Sequence, residues 1–378
     1  MAESAGAGGR QTAALVGAAA VAGVAAAVGW VARDLPAEFG GRAEGKRLGR
    51  MLRSPQFQDG AFRNPVPASL VEASDAPGMV VQMLRDQETR RPAGPVPLVA
   101  EPVVPASPDG VSAVWYGHAT TLVEIEGRRV LFDPVWSERV SPSQLVGPRR
   151  LHPVPVPLSG LPQVDAVAIS HDHYDHLDRA TVLALVAGQT APFLVPLGIG
   201  AHLERWGVPD DRIIELDWEE RATVGDLTFT ATAARHFSGR TLHRRNDTLW
   251  GSWVVAGPGR KVFYAGDSGY FDGYARIGAE HGPFDLTLMP IGAYSPSWPD
   301  IHMNPEEAVT AHLDLGGGLL LPVHWATFNL AFHRWSEPVE RLLTAAKTNE
   351  VRLALPRPGD RVDTTGVTTD DRWWELGG

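Results

Sequence analysis

The sequence feature that most constrains this chain is a dense run of histidine and aspartate directly after an apolar segment. Residues 171–176 read His-Asp-His-Tyr-Asp-His and follow the apolar stretch 164–170. Imidazole and carboxylate groups together suit zinc and its first-row neighbours. In an extended chain the first two histidines point to the same side, and a turn can place the second pair of ligands beside them. The loop therefore predicts half of each of two adjacent metal sites, from His171, His173, Asp175 and His176.

Composition and charge limit the classes of protein to consider. With 378 residues, 44% hydrophobic and 21% charged, the chain has the make-up of a folded protein of one large domain or two ordinary ones. The formal net charge of −10 argues against a dedicated nucleic-acid binder. The chain has no cysteine, which excludes disulfides, thiolate ligands and a cysteine nucleophile. Any zinc site must therefore use His, Asp and Glu.

Residues 13–32 form an uncharged run rich in alanine and glycine, long enough to span a bilayer. Three interpretations are open: a membrane anchor, a cleaved signal peptide, or an alanine-rich soluble helix. Only Arg10 and the amino terminus precede the run as positive charges, which weakens the signal peptide. An anchor is the favoured interpretation and predicts a membrane-associated protein. Six Lys and Arg residues follow between positions 33 and 53, so for an anchor the positive-inside rule places the body on the cytoplasmic face.

Three regions are predicted along the chain. They are an N-terminal hydrophobic segment (1–33), a basic arm with a Pro-rich linker (34–110), and a metallo-hydrolase domain (111–378). Six prolines between positions 92 and 110 indicate either a stiff extended linker or a strap lying over a domain.

The domain from residue 111 alternates strand-like and helix-like segments. Predicted strands are 112–116, 121–125, 129–133, 165–170, 227–232, 250–256, 261–265, 285–290 and 319–324. Predicted helices are 180–187, 198–206, 305–315 and 337–346. Strand blocks broken by single helices predict an α/β fold with two sheets and helices outside.

Three further polar residues follow apolar strands, where active sites of layered α/β folds gather: His236, Asp267 and His324. Each one alone is more typical of a turn or a surface group. Together with loop 171–176, they predict the missing half of a dinuclear site.

This order of ligands resembles the metallo-β-lactamase superfamily. The resemblance implies an αββα sandwich with two divalent metal ions, zinc favoured, at one edge, and a water or hydroxide between them as nucleophile. It implies catalytic roles for Asp175 and Asp267. The implied ligands are His171, His173 and His236 for the first metal, Asp175, His176 and His324 for the second, and Asp267 between both.

A closer resemblance, from about Ser54 to Ala346, is to the N-acylphosphatidylethanolamine-hydrolysing phospholipase D group. It rests on long motifs at 115–120, 133–144, 215–218, 249–253, 283–286, 290–294, 305–309 and 322–328. It implies a phospholipid substrate at a membrane surface, with Tyr174 and His302 in contact with its head group.

Two further sets of residues carry predictions from chemistry. Ligand histidines need an acceptor that fixes their tautomer, and Asp133 is the candidate; His118 is either a similar orienting residue or structural. The aromatic residues Trp325, Phe328, Phe332 and Trp335 recur every three or four positions. They indicate either a helix facing the core or an apolar mouth for acyl chains.

The leading hypothesis is a membrane-associated dinuclear hydrolase that converts an N-acylphosphatidylethanolamine-type phospholipid to phosphatidic acid and an N-acylethanolamine. Two divalent ions can activate water and neutralise a phosphoryl oxygen without a protein nucleophile. The alternatives are a lactonase or sugar-phosphate lactonase of the same superfamily, and a membrane-tethered binding protein with a non-catalytic metal site. No nucleic-acid partner is expected, and the sequence indicates no oligomeric state.

Overall fold

Two β-sheets lie face to face at the centre of the described chain, with helices on their outer faces. The computed structural model describes residues 35–69, 85, 87–100, 109–241, 243–365 and 371–376. Helices in these ranges include α1 (Gly45–Met51), α2 (Arg179–Gly188), α3 (Gly200–Arg205), α4 (Gly273–His281), α5 (Pro305–Asp314) and α6 (Glu337–Thr348). The strands are β1 (Phe57–Gln58), β2 (Ala61–Phe62), β3 (Val111–Gly117), β4 (Thr120–Ile125), β5 (Arg128–Phe132), β6 (Ala166–Ala168), β7 (Phe193–Pro196), β8 (Ile213–Leu216), β9 (Arg221–Val224), β10 (Leu227–Thr232), β11 (Ser252–Ala256), β12 (Lys261–Tyr264), β13 (Phe284–Pro290), β14 (Gly317–Val323), β15 (Arg352–Leu353) and β16 (Arg361–Asp363).

Each of the two sheets combines an antiparallel part with a parallel part. The first has the strand order β16-β3-β4-β5-β6-β7-β8, and its strands run parallel from β5 to β8. The second has the order β15-β14-β13-β12-β11-β10-β9, and its strands run parallel from β12 to β15. Because parallel strands end at the same edge, the loops that follow them gather there.

Side-chain alternation along β3 shows how the layers pack. Ala113 and Trp115 join the core shared by the two sheets, whereas Val114 and Tyr116 join a second core that includes residues of α2 and α3. Residues of α4, α5 and α6 pack on the far side of the second sheet. The layers are therefore helix, sheet, sheet, helix, and the predicted αββα sandwich is confirmed.

The described part of the basic arm packs on this sandwich. Met51 and Phe62 are buried in a cluster with Trp250. Arg47 forms an ion pair with Glu215 at the end of β8. The arm is thus fastened to the body by both apolar and charged contacts, ahead of the first strand of the sandwich.

Residues 92–100 lie against the body as well. Val96 is buried in the core between the sheets, and the Val99 N–H donates to the Pro358 carbonyl at 2.9 Å. These contacts fit the strap interpretation of the Pro-rich segment. The division of the chain at residues 33 and 110 stays a prediction.

Most predicted strands and helices lie where they were expected, with ends that differ by a few residues. Missing from the prediction are β1, β2, β7, β8, β9, β15, β16 and α4. The helix interpretation of the aromatic segment is wrong, because residues 324–335 form bends and turns. His324 and Ala326 have φ angles of 62° and 58°, which a right-handed helix cannot include.

The hydrophobic run at residues 13–32 lies outside the described residues. In the part of the chain that the structure does describe, we find no helix with the length and apolar character needed to cross a membrane.

Candidate metal centre

The polar residues predicted from the sequence meet at one edge of the sandwich, where strands of both sheets end. In the first sheet, Asp133 follows β5 and loop 171–176 follows β6. In the second sheet, His236, Asp267 and His324 follow β10, β12 and β14. The shared edge brings together residues that are far apart in the sequence, and all seven predicted ligands lie in one cluster.

His171, His173 and His236 form the first group of nitrogen donors. The His173 Nδ1 atom lies 2.8 Å from His171 Nε2 and 3.3 Å from His236 Nε2. The other ring nitrogen of His236, Nδ1, faces the carbonyl oxygen of Ile301 at 2.9 Å. Because a carbonyl only accepts hydrogen bonds, His236 carries its proton on Nδ1, which leaves the Nε2 lone pair for a metal.

Asp175, His176 and His324 form the second group, centred on one carboxylate oxygen. Asp175 Oδ2 lies 3.5 Å from His176 Nε2 and 3.3 Å from His324 Nε2. The same oxygen lies 2.9 Å from Nε2 of His118. Burial, together with the nearby His324, lowers the pKa of His118 to about 3, so this ring is neutral. His118 thus contacts a predicted ligand, and its assigned role as an orienting residue stays a prediction.

Asp267 lies between the two groups. Its Oδ2 atom is 3.0 Å from His324 Nε2 and 3.1 Å from His176 Nε2. The same atom is 3.8 Å from His171 Nε2 and 3.9 Å from His236 Nε2. Burial alone would raise the pKa of Asp267, but the neighbouring histidines outweigh it and hold this pKa well below the usual range. An ionised carboxylate within reach of both groups is what a bridging ligand requires.

Several atoms of the cluster are buried without a hydrogen-bond partner among the described residues. They are His176 Nε2, His324 Nδ1, His302 Nδ1 and Asp267 Oδ1. An unsatisfied buried polar atom costs about 1–3 kcal/mol, so their concentration in one place indicates residues arranged to hold a bound group. A set of imidazole and carboxylate donors without sulfur suits zinc, iron or manganese. The residues therefore fit divalent metal ions.

Asp133 lies behind the predicted ligands, contacts His176 directly and reaches His171 through the Ser170 hydroxyl. Its Oδ2 atom accepts hydrogen bonds from His176 Nδ1 at 2.6 Å and from the Tyr264 hydroxyl at 2.5 Å. The Ser170 hydroxyl also donates to this oxygen at 2.5 Å, and it lies 2.9 Å from Nδ1 of His171. Such partners fix the tautomer and the orientation of a ligand ring. These contacts are the ones predicted for Asp133, and their effect on metal binding stays a prediction.

The backbone of three residues in the cluster lies in the left-handed region. The φ angles are 52° at His118, 37° at Asp133 and 62° at His324. Strain of this kind costs about 1–3 kcal/mol per residue and persists only where surrounding contacts hold it. The His324 N–H donates to the His118 carbonyl at 2.9 Å, and the His118 N–H donates to the Thr327 hydroxyl at 2.6 Å. These bonds lock the ends of β3 and β14 to each other.

Arg240, which the sequence analysis did not single out, holds both ends of the metal loop. Its Nη1 donates to the carbonyls of Asp172 and Leu177 at 2.7 and 2.8 Å. Its Nε donates to the Glu38 carbonyl in the arm at 2.8 Å. One buried guanidinium group therefore joins the arm to loop 171–176.

Tyr174, predicted to contact a phospholipid head group, has its hydroxyl engaged within the protein. The hydroxyl donates to the Arg240 carbonyl at 2.9 Å, and the guanidinium of Arg240 lies 4.0 Å from the ring centre. The half-buried ring packs against Val135, Val140 and Phe328. The ring, rather than the hydroxyl, is thus the part of Tyr174 that faces the apolar wall, and its role toward a substrate stays a prediction.

The side chain of Asn64, in the basic arm, hydrogen-bonds to the backbone of His236. The sequence alone did not identify Asn64. The Asn64 side chain accepts from the His236 N–H at 3.0 Å and donates to the His236 carbonyl at 2.7 Å. The Trp250 indole N–H also donates to Asn64 Oδ1, at 3.1 Å. The arm thus positions a member of the first group from a point 172 residues away in the sequence.

We expect Asn64→Ala to weaken metal binding at the first group by about 10- to 100-fold, which is typical when a residue that orients a ligand is lost. Competition with a chromophoric chelator measures this affinity. Gln58→Ala is the matched control, because the Gln58 amide lies on the same arm but donates to the Pro55 carbonyl. Equal metal affinity in the two variants would show that Asn64 does not position His236 for metal binding.

His302 connects the cluster to a neighbouring cavity. Its Nδ1 lies 3.8 Å from Asp267 Oδ2, and burial lowers its pKa to about 4, so the ring is neutral near pH 7. The ring also lines a cavity of about 490 Å³, together with Tyr294, Phe332 and Arg341. His302 therefore has the cluster on one side and this cavity on the other. The assigned contact with a head group stays a prediction.

Aromatic side chains flank the cluster on two sides. The Phe328 ring lies 5.1 Å from the His118 ring, and the Phe237 ring lies 4.5 Å from the His173 ring. Phe332, which lines the cavity, packs on Trp298 at 5.6 Å between ring centres. A strongly polar centre therefore has apolar side chains on two of its sides.

Comparison with known families gives one match. Residues 128–325 match the Beta-lactamase superfamily domain. This segment is more than half of the chain and includes all seven predicted ligands.

Similar proteins and structures agree with this match. An uncharacterized protein of Mycobacterium tuberculosis is 54% identical over 355 residues, which are 92% of this chain and 95% of that protein. The N-acyl-phosphatidylethanolamine-hydrolyzing phospholipase D 1 of Caenorhabditis elegans is 35% identical over 276 residues, or 70% of this chain and 75% of that protein. The solved structure of Igni18, a metallo hydrolase of Ignicoccus hospitalis, matches with a TM-score of 0.51 at 22% identity, over 67% of this chain and 97% of that one.

Proposed function

This chain belongs to the metallo-β-lactamase superfamily as a metal-dependent hydrolase, and we propose that it cleaves the phosphodiester bond of an N-acylphosphatidylethanolamine-type phospholipid. Hydrolysis would join a water oxygen to phosphorus and break the bond from phosphorus to the ethanolamine oxygen. The water proton would leave with the alcohol, so the products would be phosphatidic acid and an N-acylethanolamine.

The observation that carries this proposal is a polar cluster of seven predicted ligands with aromatic side chains on two sides. Phe328 and Phe237 contact histidines of the cluster, and Phe332 lines the adjoining cavity. A phospholipid presents one charged phosphate between apolar chains, which matches this arrangement. The 35% identity to the Caenorhabditis elegans phospholipase D supports the same substrate class.

Two divalent ions, with zinc favoured, would be held by the two groups of residues and would share Asp267. When bound, such ions lower the pKa of a water molecule and neutralise charge on a phosphoryl oxygen. The chain's own contribution is to present the ligands in the right protonation state. The His236 proton is held on Nδ1 by the Ile301 carbonyl, and the Asp267 carboxylate is kept ionised.

The walls would orient the lipid. The ring of Tyr174 and the side chain of Phe328 form one apolar face beside the cluster, and a chain of the lipid would lie along it. The neutral His302 ring would contact the phosphate side, because it lies between the cluster and the cavity. Membrane association through residues 13–32, with the body on the cytoplasmic face, belongs to the same proposal.

A turnover panel tests this function. The purified full chain would be assayed on N-acylphosphatidylethanolamine, phosphatidylethanolamine, a soluble phosphodiester and a lactone, with metal content measured in the same sample. We expect preferential release of N-acylethanolamine, its loss after chelation, and its return on addition of zinc. His324→Ala should abolish turnover, whereas His243→Ala, which changes an exposed histidine, should not.

The other outcomes identify the alternatives. Selective turnover of the lactone would overturn phosphodiester hydrolysis in favour of a lactonase. Two bound metals without turnover of any ester would favour a binding protein. Turnover that survives complete metal removal would overturn every version of the proposal.

A further inference from the structure

The segment at residues 137–150, here called the tip loop, exposes two adjacent large apolar side chains. Leu145 is 52% exposed and Val146 is 63% exposed. Single exposed apolar residues are ordinary, but neighbouring ones at the end of a projecting loop need a reason.

The tip loop keeps its shape through its own hydrogen bonds. Arg139 and Arg149 pair across the loop, and the Val140 N–H donates to the Pro148 carbonyl at 3.1 Å. Nearer the end, the side chain of Gln144 accepts from the Arg139 N–H at 3.1 Å and donates to the Arg139 carbonyl at 3.0 Å. The backbone therefore presents the apolar pair outward in a defined conformation, without burying it.

The base of the tip loop belongs to the wall of the metal centre. Val140 is 7% exposed and packs with Val135, Phe328 and Tyr174. Tyr174 is part of loop 171–176. Leu145 is the fifth residue after Val140, so the end of the loop lies within about 17 Å of the wall, even if it is fully extended. A surface that contacts the tip is therefore close to the metal centre.

The tip loop carries a net positive charge, whereas the net charge of the whole chain is negative. The chain carries a formal net charge of −10, but the tip loop has three arginines and one glutamate. One of the three, Arg150, donates to the Ser137 and Val135 carbonyls at the base of the loop, so Arg139 and Arg149 are the arginines near the tip. Arg149 pairs with Glu138, while Arg139 donates to the Gly147 carbonyl at 2.6 Å and keeps its charge beside the apolar pair. Apolar residues rimmed by arginine match an interface of acyl chains and lipid phosphates.

We propose that the tip loop is the part of the folded domain that inserts into the surface of a phospholipid bilayer. Leu145 and Val146 enter among the lipid chains, and Arg139 contacts a phosphate. The inference rests on the proposed function, because a lipid substrate must pass from a bilayer to the metal centre. The inference adds to that function the surface by which the folded domain contacts the bilayer, and this surface is separate from the segment at residues 13–32.

A single-site fluorescence measurement tests the contact directly. Because the chain has no cysteine, Leu145→Cys can be labelled with one environment-sensitive nitrobenzoxadiazole group in the full chain. We expect a blue shift and a rise in emission on addition of phosphatidylcholine vesicles, larger with phosphatidylglycerol present. The matched control is Leu313→Cys on α5, where the leucine is 48% exposed. Unchanged emission from the label at position 145 would overturn the proposal, whether or not the protein sediments with the vesicles. An equal change in emission from a label at position 313 would overturn it as well.

A kinetic comparison separates the surface from the chemistry. Leu145→Ser combined with Val146→Ser should lower turnover of vesicle-embedded substrate by roughly tenfold or more, because two apolar side chains no longer enter the bilayer. Turnover of soluble bis(para-nitrophenyl) phosphate should stay unchanged. Unchanged turnover on vesicles would overturn the inference. If the unaltered protein hydrolyses no phospholipid at all, the proposed function fails, and the fluorescence at position 145 still decides the contact.

Discussion

Asp267→Asn is expected to lower turnover by more than about 100-fold, which exceeds the loss usual for residues that only orient a ligand. The substitution keeps the volume of the side chain and removes its negative charge. Asp267 Oδ2 lies 3.0–3.9 Å from ring nitrogens of both groups, so one carboxylate oxygen links them. An asparagine offers one neutral oxygen, which holds two cations poorly.

The pattern of metal loss distinguishes a bridging ligand from an ordinary one. Asp267→Asn should weaken metal binding at both groups, so elemental analysis should find fewer than one metal ion per chain. His236→Gln and His324→Gln, which each alter one group, should retain more. Asp272→Asn makes the same change of charge at an exposed position five residues later and should behave as the unaltered protein. Two tightly held ions in Asp267→Asn would remove its bridging role.

The sequence predicted the ligands because each one follows an apolar strand, and strand ends meet at one edge in a layered fold. His236, Asp267 and His324 needed no knowledge of side-chain contacts, since their position after β10, β12 and β14 brings them to loop 171–176. The same reasoning placed Asp133 after β5, where its carboxylate does contact a histidine of the cluster.

Asn64 and Arg240 could not be found in this way. Both act on backbone atoms, and any residue can supply a carbonyl or an N–H, so their targets leave no pattern in the sequence. The partners of Asn64 lie 172 residues away, and those of Arg240 lie 63, 68 and 202 residues away. The packing of the arm against the body brings Asn64 to His236 and Glu38 to Arg240, and the fold of the body brings Arg240 to the metal loop.

The aromatic segment shows a different limit. Trp325, Phe328 and Phe332 recur at helical spacing, yet each packs on a different part of the protein. Trp325 stacks on Trp115 at 5.7 Å, whereas Phe328 contacts His118 and Phe332 contacts Trp298. The left-handed backbone at His324 and Ala326 directs them apart. Spacing alone therefore predicted a common face that the tertiary structure does not use.

The short elements were missed because their sequences carry weak signals. The strand β9 has four residues that alternate between exposed and half-exposed, so it lacks an apolar face. The helix α4 has nine residues with two glycines, which are poor helix formers. Both are stabilised by their neighbours in the sandwich rather than by local preference.

Arg240→Ala is expected to lower the free energy of unfolding by about 3–5 kcal/mol, the usual cost of removing one partner from a buried charged network. The side chain of Arg240 is almost fully buried and serves three carbonyls, those of Asp172, Leu177 and Glu38. An alanine would leave these acceptors without their donor, and it would remove the cation stacked on Tyr174.

Metal binding should fall together with stability, because three of the four predicted ligands of loop 171–176 lie between the carbonyls of Asp172 and Leu177, and His171 directly precedes them. Arg240→Lys keeps the charge but replaces a planar fork by a single ammonium, which cannot serve three carbonyls in one geometry. We therefore expect it to recover part of the unfolding free energy while metal affinity stays reduced. Urea unfolding with and without chelator, and hydrogen exchange of the amides at 171–177, measure the two effects separately. The control is Arg221→Ala, because the side chain of Arg221 is 57% exposed. If Arg240→Ala has the same unfolding midpoint as this control and the same hydrogen-exchange protection at 171–177, then the Arg240 guanidinium does not hold the metal loop.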